Sequence, residues 1–368
     1  MKSNRKYLNT DELIDFLENE KKLIYPDEKS KEKFKLYLTQ YNYNFFVKGL
    51  KNNLMFDENG KYKKEFDSNQ IRYLFDIDRR ISVILFKYFK SLEFLLNNSF
   101  TSIISNHIFK ETNTPYISAL TKDQMSETFS NRNTVYKYYG LDSLSNIVSE
   151  FYKNFYESGF FNEKTFKNKD SENESIIKKI EKAWFLQDIN YKKSCSKQKN
   201  NWIYAEIFSI TYLLTFGQII KLAKSLNNDL KNQVIRFFSK SFNKQSKNIK
   251  IDEPIFNLVI DIFSNLRNIL AHNSNLIKFR YEIDTSKISF NFFKLLGYKK
   301  DNLDEKIVIN LYDTIILLEK IIETPKNKII NDIKEDLKNK SNISIETGNS
   351  LSDLLMEIIE NETGIKFR

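Results

Sequence analysis

Residues 71–104 read IRYLFDIDRRISVILFKYFKSLEFLLNNSFTSII. Apolar side chains recur there at Ile81, Ile84, Leu85, Tyr88, Phe89, Leu92, Leu95, Leu96, Phe100 and Ile103. That interval follows the 3.6-residue turn of an α-helix and gathers the apolar residues into one stripe, so the stretch predicts a long amphipathic helix. Composition points the same way. The 368 residues include only 8 Gly and 4 Pro. Sandwiches, barrels and dinucleotide-binding or P-loop folds need glycine at tight turns, and neither G-x-x-x-x-G-K nor G-x-G-x-x-G occurs, so the scarcity favours an all-α fold. Hydrophobic residues make up 41% and aromatics 14%, enough apolar material to offset chain entropy and oppose global disorder.

On the N-terminal side of this helix, residues 9–52 predict two helical stretches separated near Tyr25-Pro26-Asp27. Asn9 or Thr10 caps the first, ahead of Leu13, Ile14, Phe16 and Leu17. Residues 53–68, with Asn59-Gly60, predict a loop. Beyond the long helix, residues 110–135 are Ser- and Thr-rich and turn-like, 136–160 helical, and Asn162–Ser175 a polar connection. Helical periodicity returns over 176–186, 202–226 and 229–241. Residues 254–272 form another helix, with Ile255, Phe256, Val259, Ile262, Phe263, Leu266, Ile269 and Leu270 on one broad face. The aromatic-rich residues 279–297 predict irregular chain or a short hairpin. A helix over 304–323 comes next, stopped by Pro325, and 326–368 hold two shorter helices split by polar residues 339–350. The expected organisation is an N-terminal helical region (1–70), a helical core (71–325) with a basic insertion at about 185–250, and a C-terminal helical tail (326–368).

The single cysteine, Cys195, cannot form an internal disulfide, and with no C-x-x-C and only two His the sequence argues against a zinc site. No metal and no cofactor is expected. The start, MKSNRKYLNT, lacks the apolar core of a signal peptide, and the longest apolar stretch, 208–220, is short and interrupted. These features predict a cytoplasmic chain with no membrane partner.

Charge is uneven along the chain. The net charge is +10, and residues 185–250 alone hold twelve Lys and Arg against three Asp and Glu. Lys192, Lys193, Lys197 and Lys199 surround Cys195; Lys231, Arg236, Lys240 and Lys244 come after, interleaved with Phe237, Phe238 and Phe242. Lysines neutralise phosphates while aromatic rings stack on unpaired bases, which makes this region a candidate RNA-binding surface. The plainer alternative is a solvated lysine-rich surface with its phenylalanines in the core.

One constellation carries chemistry. Arg267-Asn268-Ile269-Leu270-Ala271-His272 places one of the two histidines five residues after an arginine at the end of a helix. An imidazole exchanges protons near neutral pH and a guanidinium stabilises an oxyanion, a pair suited to RNA transesterification by the 2′-hydroxyl. That reaction needs proton transfer and positive charge on the phosphorane. Five residues at 3.6 per turn separate the two directions by about 140°. Either the helix ends there or two copies combine, as in a two-fold dimer with both Arg267–His272 pairs in one groove. Taken alone, R-x-x-x-x-H arises often by chance.

The surrounding residues are more specific. Leu266-Arg267-Asn268-Ile269-Leu270-Ala271-His272 resembles the "LRNxxAH" signature of the Abi-like family, the AbiD and AbiF type abortive-infection proteins of the HEPN superfamily. Tyr41-Asn42-Tyr43 resembles the family's "NYY" patch. Tyr73-Leu74-Phe75-Asp76, with Arg80 and Glu93, is similar to "YxFDxxLR…IE", and Thr215-Phe216-Gly217 to its "sFG" turn. The resemblance spans about residues 10–323. It implies an all-helical HEPN core that dimerises, metal-independent RNA cleavage, and a toxin role in phage defence or a toxin–antitoxin pair. By the same resemblance Arg267 binds the phosphate, His272 is the acid and base, and Asn268 is a polar orienter; a small structured or guide-like RNA is an implied partner. Three features, at five positions, depart from the family pattern. Asn275 and Ile277 stand where it continues "AHxxRLWN", Ser274 replaces the tyrosine of nucleotide-silenced HEPN toxins, and Trp202 and Glu206 lie far ahead of Gly217.

Several residues have a bland reading beside the functional one. Asp76 and Arg80, at i and i+4, suit a helix-surface pair. Glu93 interrupts the apolar stripe and requires a partner, either Arg267 or His272 or a lysine. His107 and Cys195 read as structural. Two rival functions remain open at this level: a module that holds structured RNA without cutting it, and a protein-interaction scaffold.

Overall fold

The computed structural model describes residues 8–64, 66–112, 116–121, 202–206, 215–226, 228–245, 251–272, 274–299, 303–339 and 349–366. They are predominantly helical, as the glycine and proline scarcity predicts. Helix α1 (Thr10–Asp15) starts on Asn9, whose side chain accepts from the Glu12 N–H while Glu12 accepts from the Asn9 N–H, a reciprocal cap. Asp27 caps α2 (Glu28–Tyr43) through the Ser30 N–H at 2.6 Å. Asn42 leaves the helical path at φ 53°, and its side chain accepts from the N–H groups of Asn44 and Phe45, which starts a π-helical turn over Asn44–Lys48. The long helix α3 (Ser68–Thr112) begins where Asp67 accepts from Asn69 and Gln70 and Gln70 returns a bond to the Asp67 N–H. Ile81, Leu85, Phe89, Leu92 and Leu96 on its stripe are all buried.

The chain divides into two compact units, Met1–Lys90 with Asp261–Arg368, and Ser91–Ile260. In the first, Phe34, Phe46 and Phe75 meet Tyr37 and Tyr41 in an aromatic cluster, with ring centres 4.7–6.2 Å apart. The same unit holds strand β3 (Tyr281–Asp284), paired antiparallel with β4 (Lys306–Ile309). It also contains the helix Phe290–Leu296, which Gly297 ends in the left-handed region at φ 89°. Helix Leu311–Ile321 comes next, and buried Glu319 on it accepts from the N–H groups of Asn327 (2.8 Å) and Ile329 (2.7 Å), capping helix Lys328–Asn339. Helix Asn349–Thr363 closes the described chain. The second unit contains strands β1 (Tyr116–Thr121) and β2 (Trp202–Glu206), paired antiparallel, and helices Phe216–Ser225 and Asn228–Gln245. There Phe238 packs edge-on against Phe256 at 5.4 Å.

Three local expectations are corrected. Trp202–Glu206 is a strand, not the start of a helix, and Tyr116–Thr121 within the supposed turn region is its partner. Ile307 and Leu311 fit helical spacing, yet Lys306–Ile309 alternates exposed and buried and pairs as a strand. The helix starts later, at a reciprocal cap between Asn310 and Asp313, a start signal of the type that sequence displays directly. The partner of Tyr281–Asp284 lies beyond helix Phe290–Leu296, not inside a hairpin over 279–297. Expectations for 136–160, Asn162–Ser175 and 176–186 fall outside the described residues. No helix among the described residues is long and apolar enough to cross a membrane.

Candidate active site at the end of a helix

Asp252 accepts from the Ile255 N–H at 3.0 Å and so starts helix Glu253–Ala271. Ile255, Phe256, Val259, Ile262, Phe263, Leu266 and Leu270 form its buried face, while Asn265 and Asn268 are exposed on the other side. Arg267 is half-buried and His272 exposed. The His272 N–H closes the last regular turn on the Asn268 carbonyl at 3.0 Å, and the Ser274 N–H reaches back to Ile269 at 3.0 Å. This six-to-one bond is of the type that ends helices, and the helix stops at Ala271, beside His272.

The chain beyond His272 is clasped from two sides. Asp78, completely buried on α3, accepts from the Ile277 N–H at 2.7 Å and is ion-paired with Arg79. Burial pushes the Asp78 carboxyl above its ordinary value, partly offset by Arg79 and by the amides of Ile277 and Leu276. Arg79 in turn donates to the Ser274 carbonyl at 2.7 Å and lies over the Phe75 ring. From the other side, the Asn275 amide donates to the Phe45 carbonyl at 3.1 Å, and the Lys278 ammonium donates to the Lys51 carbonyl. Leu276 and Ile277 are fully buried between these anchors. Bonds to the backbone of Ser274 and Ile277 and from the side chains of Asn275 and Lys278 thus hold the loop that follows His272.

Gly49 belongs to the clasp. A Cβ there would stand 2.0 Å from the Asn275 Oδ1 and 2.9 Å from the Phe45 carbonyl oxygen. Gly49→Ala therefore forces Asn275 out of its bond, at an expected cost of about 1–3 kcal/mol, the range for overpacking. Urea unfolding of Gly49→Ala, Asn275→Ala and the double variant checks this: the double should lose much less than the sum, because the clashing amide is gone.

The other sequence-derived candidates have different surroundings. Asp76 accepts from the Tyr37 hydroxyl with both oxygens at 3.0 Å; burial raises its carboxyl, against the pull of Tyr37, Arg72 and Arg80. It thus ties α2 to α3, with Arg80 as a charge partner whose Nη1 is buried without a hydrogen bond among the described residues. Glu93 is half-buried on the part of α3 that belongs to the second unit. Lys231 is only 12% exposed and pairs with Glu253 at 2.9 Å, so its charge is already matched. Arg236 and Lys240 are exposed, as is Phe237, whereas Phe238 is core. Lys244 lies on the same helix, and Lys192, Lys193, Lys197, Lys199 and Cys195 lie outside the described residues. No group of three or more His, Cys, Asp or Glu among the described residues is arranged to hold a metal ion.

Sequence reasoning missed Asp78 and Arg79. The signal was present: Asp78 falls on the apolar stripe itself, three and four residues from Phe75, Leu74 and Ile81. A carboxylate at such a position must find a buried partner.

A family model described as Abi-like protein matches residues 36–278 of the 368. The match opens within α2 and closes at Lys278, so it takes in α3, the Phe45–Lys51 anchor and the whole clasped loop. No curated protein and no solved structure matches the chain.

Proposed function

This chain belongs to the Abi-like protein family, which gives it an abortive-infection-related role, and from that premise we propose that it is a HEPN-type endoribonuclease acting as a toxin in phage defence or a toxin–antitoxin pair. The observation that carries the reading is the end of helix Glu253–Ala271, where exposed His272 follows Arg267 by five residues and leads into a loop pinned by Asp78, Arg79 and Asn275. In the proposed reaction the ribose 2′-oxygen bonds to phosphorus and the P–O5′ bond breaks. His272 takes or returns the moving proton, Arg267 stabilises the phosphorane charge, and Asn268 orients the phosphate. A homodimer, joining two Arg267–His272 pairs in one groove, supplies an acid and a base at once. Cytoplasmic RNA is the substrate, and a small structured RNA is the proposed restraining partner.

The mechanism sets the product ends. Cleavage should leave a 2′,3′-cyclic phosphate and a 5′-hydroxyl and should persist in EDTA; fragments with a 3′-hydroxyl and 5′-phosphate, read by end-labelling, sink the mechanism. The exposed Arg236, Phe237 and Lys240 support a second reading, in which the protein holds structured RNA without cutting it. That reading predicts salt-sensitive RNA binding that survives His272→Ala, with no turnover.

A further inference from the structure

We propose that a pocket in the first unit, formed by α1, the end of α2 and the π-helical turn after it, is a nucleotide-binding site. The pocket encloses ≈ 880 Å³, within the range of cavities that take small organic ligands. Its lining is one-sided in charge, with Lys21, Lys48 and Lys51 and, among the described residues, no Asp or Glu, in a chain with 48 acidic residues. Phe16, Tyr43, Phe56 and Tyr62 line it too, with Phe56 and Tyr62 packed on each other at 4.5 Å. Cation and ring stand together: the Lys51 ammonium is 4.6 Å from the centre of the Phe56 ring, and that of Lys21 is 5.9 Å from Phe16. A ligand with one planar ring system and an adjacent phosphate matches that pairing, the ring on an aromatic face and the anion on the ammonium groups.

Polar groups for a base edge are also present. Tyr62 is 7% exposed and lines the pocket. Asn42 and Asn44 border the same space, and the Asn42 side-chain oxygen serves the local turn. One wall continues into the clasp beyond His272. Lys51 presents its side chain to the pocket and its carbonyl to Lys278, while Phe45, next to the lining residue Asn44, receives Asn275. An occupant therefore touches the segment that anchors the loop after His272. The binding site itself stands whether or not Arg267 and His272 cleave RNA.

The test uses the full chain and calorimetry with adenosine, cytidine, guanosine and uridine 5′-monophosphates and with inorganic phosphate. At least one nucleotide should bind tenfold or more tightly than phosphate. Lys48 and Lys51 are exposed, so Lys48→Glu/Lys51→Glu should fold, as circular dichroism would verify, and should weaken that nucleotide at least tenfold. Arg267→Ala and His272→Ala should retain it. In the His272→Ala background, a 5′-phosphorylated tetraribonucleotide that outcompetes the mononucleotide identifies an RNA end as the source, and the reverse order a free nucleotide. The proposal is overturned if no nucleotide exceeds phosphate, if the double charge reversal leaves binding intact, or if Arg267→Ala abolishes it instead. The last result would locate the nucleotide at the candidate active site.

Discussion

Alanine at His272 should lower the rate of RNA cleavage by about 10²–10⁴-fold, the contribution of a positioned proton-transfer group. Arg267→Ala should cost about 10²–10³-fold, as loss of a charge-stabilising donor does. In the proposed mechanism both groups serve one transition state, so the two losses should not add. Single-turnover cleavage of end-labelled RNA gives the rates. Induction in cells at matched soluble levels gives the biological counterpart: growth arrest with RNA breakdown in the wild type and neither in the variants. His272 is exposed, so its loss should leave the unfolding midpoint unchanged. Arg267 is half-buried and engaged within the molecule, so its variant needs the unfolding measurement beside the rate. A toxic wild type whose toxicity survives both substitutions would make the motif structural.

The second large effect belongs to a residue that touches no substrate. Asp78→Ala removes the acceptor of the Ile277 N–H and leaves the Arg79 guanidinium without its buried carboxylate. Stranding one half of such a pair costs about 3–5 kcal/mol, a large part of the roughly 5–15 kcal/mol by which a domain is stable. Asp78→Asn keeps an acceptor and should cost less, so it gives a reading even if the alanine variant does not fold. In the asparagine variant cleavage should fall with the loosened loop while His272 is intact. A pH profile adds an independent check. Because burial holds the Asp78 carboxyl above its ordinary value, the folded state binds that proton more tightly than the unfolded chain does. Stability therefore falls as pH rises through the interval between the two values, and it is the protonated side that is favoured. Urea midpoints across that interval should be flatter for Asp78→Asn than for the wild type; equal slopes would remove Asp78 from the account.

Helices that bury a long stripe were legible because their information is local. The run from Ile71, the apolar face of 254–272 and the Asn9 cap each sit within one or a few turns of chain, and the structure forms them there. The Arg267–His272 spacing was legible for the same reason, and its family context, matched over residues 36–278, came from short contiguous patches. Asp76 and Arg80 were noticed as a local pair; the Tyr37 hydroxyl that Asp76 accepts is 39 residues away and left no mark on the helix pattern.

The amino-acid sequence by itself thus determined an all-α class, the positions of the principal helices and the identity of the motif, since periodicity, caps and contiguous signatures are properties of neighbouring residues. Only the tertiary structure decided that Trp202–Glu206 and Lys306–Ile309 are strands, because a strand is stabilised by a partner: Tyr116–Thr121 for the first and Tyr281–Asp284 for the second. It alone decided how the chain is held after His272. Arg79 reaches Ser274 across 195 residues and Asp78 reaches Ile277 across 199, and such a bond depends on which helix faces meet in the core, not on what lies beside either residue in the chain.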